Sequence, residues 1–173
     1  MIFLRHPTTD AGPDVCYGQL DVGLGATAPA EIDAALTAVG PIERIHASDL
    51  SRCRILAERF AARDGVRPVY DRRLREYDFG AWEGRRWSEI PRSESDPWTR
   101  DLWAAAPPGG ETFQALHTRV GAALQDISHG TLVVAHAGVI RAARMILTGA
   151  SFETVFAEKV PHCQPIIFDR RAA

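Results

Sequence analysis

The residues best suited to chemistry stand directly after apolar runs of the chain. Arg5 and His6 follow the run 1–4, and His136 follows the run 131–135. An unprotonated imidazole is a good nucleophile near neutral pH, and the planar arginine fork matches the oxygens of phosphate or carboxylate. Together these residue types favour the handling of a phosphoryl group, with His6 as the group that attacks phosphorus.

A second arginine follows the predicted strand 44–47. Ser48 is the expected N-cap of the next helix, which places Arg52 in the first turn of that helix. The positive end of the helix dipole and the free N–H groups there would add to an anion site. A phosphoryl group in flight spreads its charge over three oxygens, and fixed cations stabilise it. We therefore expect Arg5 and Arg52 to act together.

A carboxylate completes the set of candidate residues. The acidic and aromatic loop 74–84 contains Glu76, Asp78 and Glu83, and a general acid that protonates a leaving alkoxide is worth about 10²–10⁴-fold in rate. Each candidate also has a structural alternative. His6 could be a buried, hydrogen-bonded histidine, Arg52 an ion-pair partner, His136 a strand-end cap, and the acidic loop a solvated surface.

The elements that must position these residues alternate along the chain. Strands are predicted at 1–4, 44–47, 67–70, 131–135 and 164–168, the last as an edge strand because it contains a proline, and helices at about 29–39, 48–64, 113–127 and 137–148. This alternation predicts an α/β fold, a three-layer α/β/α sandwich with a mostly parallel central sheet. Ligands bind beyond the carboxyl ends of such strands, so His6, Arg52 and His136 should meet at one rim.

Composition narrows the classes of protein. A length of 173 residues suits a single domain, 1–173, in which the proline-broken segment at about 84–110 forms a lid-like excursion. The formal net charge of -2 offers no basic field for nucleic acid or anionic lipid. No apolar run approaches the roughly 18 residues of a membrane span, and no leader segment is recognised. We expect a cytoplasmic protein without nucleic-acid or membrane partners.

The cysteines and the remaining histidines indicate no metal site. Three widely separated cysteines, Cys16, Cys53 and Cys163, form neither a disulfide framework nor a C-x-x-C pair, which fits a reducing compartment. The other histidines have no zinc-ligand spacing and receive no role: His46, His117, His129 and His162. We therefore predict that the protein uses neither a metal nor another cofactor.

Four sequence blocks resemble the histidine phosphatase superfamily, also called phosphoglycerate-mutase-like. They are Leu4-Arg5-His6, Ser48-Asp49-Leu50-Ser51-Arg52, Leu74-Arg75-Glu76 with Phe79-Gly80 and Trp82-Glu83-Gly84, and Ala135-His136-Ala137-Gly138-Val139-Ile140-Arg141. The resemblance implies that His6 becomes a phosphohistidine and that Arg5, Arg52 and His136 form the phosphate pocket. It also implies that Glu76 donates a proton to the leaving alcohol and that no metal takes part.

Two further blocks resemble the α-ribazole phosphatase branch of this superfamily. They are 15–21 and the Pro-Pro-Gly-Gly-Glu run 107–111. The likeness implies removal of the 5′-phosphate from α-ribazole phosphate, free or attached to the cobamide, in cobalamin synthesis. The chain departs from the family at Pro7, where Gly is usual, and has no Asn in the loop that follows. Thr8 and Gln19 are the candidates for the missing phosphate contact.

Several alternatives stay open at this stage. A phosphoglycerate mutase or another small-metabolite phosphatase of the same superfamily is the enzymatic alternative, and a phospho-ligand binding protein without turnover is the alternative of another class. The expected partner is a small phosphorylated molecule, and assembly into a homodimer is left open. The four tryptophans Trp82, Trp87, Trp98 and Trp103 either pin the lid as a hydrophobic cluster or provide one ring that stacks on the substrate base.

Overall fold

The computed structural model describes residues 1–168 and contains the predicted α/β architecture. The strands are β1 Ile2–Arg5, β2 Ile45–Ala47, β3 Pro68–Tyr70, β4 Leu132–Ala135 and β5 Ile166–Ile167. The helices are α1 Ala28–Ala38, α2 Ser51–Asp64, α3 Arg92–Arg100, α4 Phe113–Asp126, α5 Ala137–Thr148 and α6 Phe152–Ala157. The bounds lie close to the predicted ones, although the edge strand β5 is shorter and the short helix α6 has no counterpart in the prediction.

The sheet is mostly parallel and has the strand order β3-β2-β4-β1-β5. Only β5 runs antiparallel, beside β1 at the edge. In the parallel ladder Arg5 is the partner of Ala135, and Ala47 is the partner of Val134. The chain segments that follow β1, β2 and β4 therefore leave the sheet at nearly the same level, which is how His6 and His136 become neighbours.

Each face of the sheet carries its own hydrophobic core. Phe3 and Val133 pack with α4 and α5 on one face, and Leu4 and Val134 pack with α1 and α2 on the other. Successive side chains of a strand point to opposite faces, so a strand covered on both faces must be apolar throughout. This explains why the two central strands read as unbroken apolar runs.

The start of α2 differs from the prediction. Its N-cap position is occupied by Leu50, whose side chain cannot cap, and not by Ser48. The cap comes instead from a distant loop, because the Asp21 carboxylate accepts hydrogen bonds from the Ser51 N–H at 3.0 Å and from its hydroxyl at 2.7 Å. Arg52 nevertheless lies in the first turn of α2, as expected.

The proline-broken segment carries the 3₁₀ turn Trp87–Glu89, helix α3 and irregular chain. Three of the four tryptophans pack together: the Trp98 ring lies 5.4 Å from Trp82 and 6.3 Å from Trp87. Trp103 lies apart, against Phe113 at 5.8 Å. The aromatic cluster of the segment therefore has three tryptophans, while Trp103 joins the core beneath α4.

Two negative findings apply to residues 1–168. No helix there is long and apolar enough to cross a membrane. The same residues contain no group of three histidine, cysteine or acidic side chains that could hold a metal ion. The three cysteines are all buried as free thiols.

Candidate active site

His6 leaves β1 with its ring held in one tautomer. Its Nδ1 lies 2.7 Å from the Pro7 carbonyl oxygen, and because that oxygen can only accept, Nδ1 carries the hydrogen and Nε2 keeps its lone pair. Burial, and then the charge of Arg52, hold the pKa of His6 well below its ordinary value. His6 is therefore a neutral imidazole at neutral pH, and it lines an open cleft of about 560 Å³.

Two arginines supply fixed positive charge beside this histidine. Arg52 is fully buried, and it donates to the Leu20 carbonyl at 2.9 Å and to the Gly18 carbonyl at 2.5 Å. Arg5 donates to the Val160 carbonyl at 2.9 Å. The Nε of each arginine is buried and has no hydrogen-bond partner among residues 1–168. Such groups are costly to leave unpaired, and an anion with several oxygens is the partner that guanidinium binds best.

His136 lies beside His6, with 5.1 Å between the ring centroids. It is fully buried at the N-cap position of α5, and its Nε2 lies 2.9 Å from the Ser48 hydroxyl and 3.4 Å from the Cys53 thiol. Burial, followed by the charge of Arg52, also holds the pKa of His136 well below its ordinary value. The carboxyl rim thus combines two neutral imidazoles with two guanidinium groups. Of these four groups, Arg5 and His6 line the cleft, whereas Arg52 and His136 are fully buried and are not among the residues that line it.

Glu76 reaches the cleft from the loop that precedes the 3₁₀ turn Gly80–Trp82. Both of its carboxylate oxygens lie 3.1 Å from the N–H of Gly138, in the first turn of α5, and one also accepts from the N–H of Tyr77 at 2.9 Å. A Cβ at position 138 would come within 2.4 Å of this carboxylate, so the close approach requires glycine there. Glu76 lines the same cleft as Arg5 and His6.

A single arginine on α4 fixes the backbone around Glu76. Arg119 donates to the carbonyls of Arg73, Arg75 and Glu76 at 2.8, 2.6 and 2.9 Å. Its remaining N–H groups form a two-point ion pair with Glu111, at 3.0 and 2.5 Å. Because α4 belongs to the hydrophobic core, this arginine couples the position of the acid to a rigid helix.

Glu83 likewise holds loop backbone in place, in this case the backbone of 18–20 and of Phe79. Its carboxylate accepts from the three N–H groups of 18–20 and from the N–H of Phe79, at 2.8 to 3.0 Å. The carbonyls of residues 18 and 20 in turn accept from Arg52. Glu83 is therefore a structural carboxylate with its oxygens engaged, which leaves Glu76 as the loop acid that faces the cleft.

The two candidates for the missing phosphate contact have different positions. Thr8 lines the cleft, but its N–H and its hydroxyl both donate to the Glu31 carboxylate, at 2.7 and 2.6 Å. Gln19 is not among the residues that line the cleft, and its N–H is bound by Glu83. The structure thus brings Thr8 to the site with its donors occupied and leaves the Gln19 side chain outside.

His162 belongs to the site although the sequence gave no reason to select it. Its ring stands edge-on to that of His6 at 5.2 Å, its Nδ1 lies 2.7 Å from the His6 carbonyl oxygen, and it lines the cleft. His162 precedes β5, and an antiparallel strand begins at the rim where its parallel neighbours end. An antiparallel edge strand is therefore the signal that would have found it.

Comparisons with known proteins show to which family the chain belongs. A family model described as the histidine phosphatase superfamily (branch 1) matches residues 1–172. The chain therefore belongs to the histidine phosphatase superfamily.

Individual relatives fall on both sides of the phosphatase and mutase division. Over 104 residues the chain is 36% identical to a probable phosphoglycerate mutase of Escherichia coli, covering 55% of this chain and 48% of the relative. The structure resembles that of a mycobacterial glucosyl-3-phosphoglycerate phosphatase, with 25% identity, a TM-score of 0.78 and coverage of 91% and 82% of the two chains. It also has the fold of the α-ribazole phosphatase of Shigella flexneri, with 24% identity, a TM-score of 0.86 and coverage of 95% and 87%.

The matched region is only part of the related curated proteins. The chain spans less than half of their length, between 42% and 49% for the first of them. The family membership is therefore established for this domain.

Proposed function

We propose that the protein hydrolyses a phosphate monoester through a phosphohistidine intermediate on His6. The observation that carries this proposal is the tautomer of His6: with Nδ1 donating to the Pro7 carbonyl, Nε2 presents a lone pair in a cleft that Glu76 also lines. A neutral nucleophile and a carboxyl group in one cleft are the two groups that a double displacement at phosphorus needs.

The first chemical step transfers the phosphoryl group to the enzyme. The Nε2 lone pair of His6 attacks phosphorus in line, the bond between phosphorus and the ester oxygen breaks, and Glu76 in its acid form protonates the leaving oxygen. Arg5 and Arg52 stabilise the charge on the three phosphoryl oxygens, with His136 as a further donor to them. The unpaired Nε groups of both arginines support this assignment.

The second step returns the histidine to its starting state. Glu76, now a carboxylate, takes a proton from a water molecule as that water attacks phosphorus, and the bond between phosphorus and nitrogen breaks. His6 regains its neutral form and inorganic phosphate leaves. One carboxyl group thus serves as acid and then as base, as microscopic reversal of the proton transfer requires.

For the substrate we propose α-ribazole 5′-phosphate or adenosylcobalamin 5′-phosphate, which would place the enzyme in cobalamin biosynthesis. Both sequence blocks behind this choice support the site. In the block 15–21, the carbonyls of residues 18 and 20 accept from Arg52 and the N–H groups of 18–20 donate to Glu83. In the block 107–111, Glu111 pairs with Arg119. The fold shared with an α-ribazole phosphatase is consistent with it. A location in the cytoplasm and a homodimeric assembly stay predictions, and sedimentation of the purified protein tests the assembly.

The alternatives differ in what they demand of the site. A phosphoglycerate mutase or a phosphatase of another small metabolite would use the same groups, and two of the relatives are named for phosphoglycerate chemistry. A binding protein without turnover would have no use for an acid, whereas Glu76 stands in the cleft beside His6. Hydrolysis is therefore the function that the arrangement supports best.

The experiment is a phosphate-release panel with α-ribazole 5′-phosphate, adenosylcobalamin 5′-phosphate, 3-phosphoglycerate and an aryl phosphate, with His6→Ala as control. We expect release by the wild type, loss of at least about 10³-fold in the variant, and an acid-labile, alkali-stable adduct in rapid-quench samples of labelled ester. Undiminished turnover by His6→Ala would overturn the mechanism. A preference for 3-phosphoglycerate by orders of magnitude would overturn the substrate alone.

A further inference from the structure

A second, smaller cavity of about 160 Å³ adjoins the cleft at Glu76. Glu76 and Phe79 line both spaces. The other walls include aromatic rings from three separate helices, Trp98 of α3, Phe113 of α4 and Phe156 of α6. Nothing in the proposed chemistry of the phosphoryl group uses these rings.

The rings are fixed by contacts with each other. Trp98 donates its Nε1–H to the Tyr77 hydroxyl at 3.1 Å, and Tyr77 packs on Phe79 with 4.8 Å between centroids. Phe113 and Phe156 meet edge to face at 5.1 Å. Such tilted aromatic contacts are favourable in themselves, so the walls are in place before a ligand arrives.

One cation stands at the end of the cavity. The Arg141 guanidinium lies over the Phe156 ring at 5.0 Å, and its Nε donates to the Val155 carbonyl at 3.1 Å. Arg141 lines the cavity itself. A guanidinium plane stacks on the aromatic ring of a ligand as it does on an aromatic side chain, so Arg141 also suits the cavity to a flat π-system.

We propose that this cavity binds a flat aromatic group of the alcohol half of the substrate while the phosphate occupies the cleft. The inference rests on the proposed function, because Glu76 protonates the oxygen that joins the two halves of the ester. The phosphoryl group lies on the His6 side of that oxygen, so the carbon skeleton of the alcohol must continue on the other side. The cavity, which shares Glu76 and Phe79 with the cleft, is the aromatic-walled space beside that carboxyl group.

The size of the cavity agrees with this occupant. A cavity of roughly 150 Å³ with apolar walls is large enough to bind benzene, and the one beside Glu76 has about the same volume. A glycerate or a free sugar would bury hydroxyl groups against the faces of Trp98, Phe113 and Phe156, which is unfavourable. The charged side chains of the wall that could pair with polar groups are Glu76 and Arg141. The proposed subsite would therefore select phosphate esters whose alcohol carries an aromatic ring.

The test uses two esters of the same sugar, α-ribazole 5′-phosphate, which carries an aromatic base, and ribose 5-phosphate, which carries a hydroxyl group in its place. We expect wild-type kcat/KM to favour the ring-bearing ester by about 10- to 100-fold, in line with the effect of one stacked base. Phe156→Ala and Trp98→Ala should each reduce this ratio several-fold. Trp87→Ala tests the alternative place for the ring, since Trp87 lines the cleft but not the cavity. The matched control is Tyr70→Ala, an aromatic residue of β3 that lines neither space.

The outcomes separate the two proposals. Hydrolysis of both esters at equal kcat/KM overturns the aromatic subsite and leaves the phosphatase function standing. A ratio that falls in Trp87→Ala but not in Phe156→Ala puts the ring in the cleft and also overturns the subsite. If neither ester is hydrolysed, the proposed function fails, and calorimetric binding of α-ribazole 5′-phosphate to wild type and Phe156→Ala still decides the subsite: equal affinities overturn it, and weaker binding by the variant supports it.

Discussion

The two halves of the site are held in place by different means. The strand-end group, which we define as Arg5, His6, Arg52 and His136, follows directly from the sheet ladder and the start of α2. Glu76 lies in the loop 71–84, where two short 3₁₀ turns replace regular structure. There the backbone is held by charged side chains, above all Arg119 and Glu83.

Burial differs in the same way as the supports do. Three members of the strand-end group are buried, with His6 2% exposed and Arg52 and His136 fully buried, whereas Glu76 is half-buried, as is Arg5. A nucleophile that must stay unprotonated benefits from a dry surrounding, because burial disfavours its charged form. An acid that gives up a proton and takes one back in every cycle must stay in reach of water. The division between rigid sheet and side-chain-braced loop therefore matches the division between phosphorus chemistry and proton transfer.

Replacing the acid is the most direct way to separate the two halves. We expect Glu76→Gln to lower kcat/KM on alkyl phosphates by about 10²–10⁴-fold, since an alkoxide leaving group needs a proton. The loss in kcat/KM should be far smaller on 4-nitrophenyl phosphate, whose leaving group departs unaided. The comparison uses kcat/KM because kcat also includes hydrolysis of the phosphohistidine, a step that both esters share and that needs Glu76 as base. Phosphate-release assays on both esters measure this, with Asp78→Asn as the control from the same loop. Equal losses on the two esters would contradict the assignment of Glu76 as the acid.

Arg52→Lys tests the strand-end group. A lysine cannot replace the planar fork that spans the carbonyls of Gly18 and Leu20, so we expect kcat/KM to fall by about 10²–10³-fold on every ester, whatever its leaving group. The same change should lower the free energy of unfolding by about 1–3 kcal/mol through the unpaired carbonyls. The control is Arg54→Lys, an exposed arginine of the same helix. A loss confined to alkyl esters would contradict the role in phosphate binding.

Periodicity was sufficient to predict the strand-end group. Unbroken apolar runs locate β1 and β4, and parallel strands deliver their next residues to one rim, so His6 and His136 could be paired without coordinates. The helix that carries Arg52 was found in the same way. The prediction of Ser48 as its cap was wrong because Asp21, from a loop thirty residues earlier, binds Ser51 instead. Local sequence does not encode such a distant partner.

The supports of the loop could not be predicted, for a related reason. Glu83 contacts 18–20 across more than sixty positions, and such bonds from a side chain to the backbone leave no period in the sequence. His162 was missed because the direction of the edge strand decides whether it reaches the rim, and an apolar run does not reveal direction. The acid itself was selected through the family resemblance rather than through a structural pattern.

Arg119→Ala tests whether the support of the loop positions Glu76, since Arg119 contacts the loop but does not line the cleft. Loss of its hydrogen bonds to the loop carbonyls should displace Glu76 and reduce kcat on alkyl phosphates by about 10- to 100-fold, because a misplacement of about 1 Å can cost 10²-fold. KM should change little.

The double variant that combines Arg119→Ala with Glu76→Gln distinguishes a positioning role of Arg119 from a direct one. Once the acid is gone its position no longer matters, so Arg119→Ala should have almost no further effect on kcat in that background. Multiplicative losses in the double variant would mean that Arg119 acts on catalysis by another route.

The smallest predicted effect is the dependence of the free energy of unfolding on pH, which reports on the strand-end group without an activity assay. The pKa values of His6 and His136 are held well below the ordinary value of 6.5 in the folded protein, chiefly by burial. Below that value the unfolded chain binds protons at these positions and the folded chain does not, so the free energy of unfolding falls as the pH falls. Each histidine contributes at most about 1.4 kcal/mol per pH unit between 6.5 and its folded pKa.

Denaturant titrations at pH 7, 6 and 5 should therefore show a steady loss of stability that His136→Asn reduces. The control is His129→Asn, because His129 is exposed after α4. Burial also lowers the pKa values of His46, His117 and His162, which add to this slope, so His136→Asn should reduce it without abolishing it. A slope that is the same in wild type and His136→Asn would mean that the buried imidazoles accept protons without unfolding, and the dry character of the strand-end group would then be wrong.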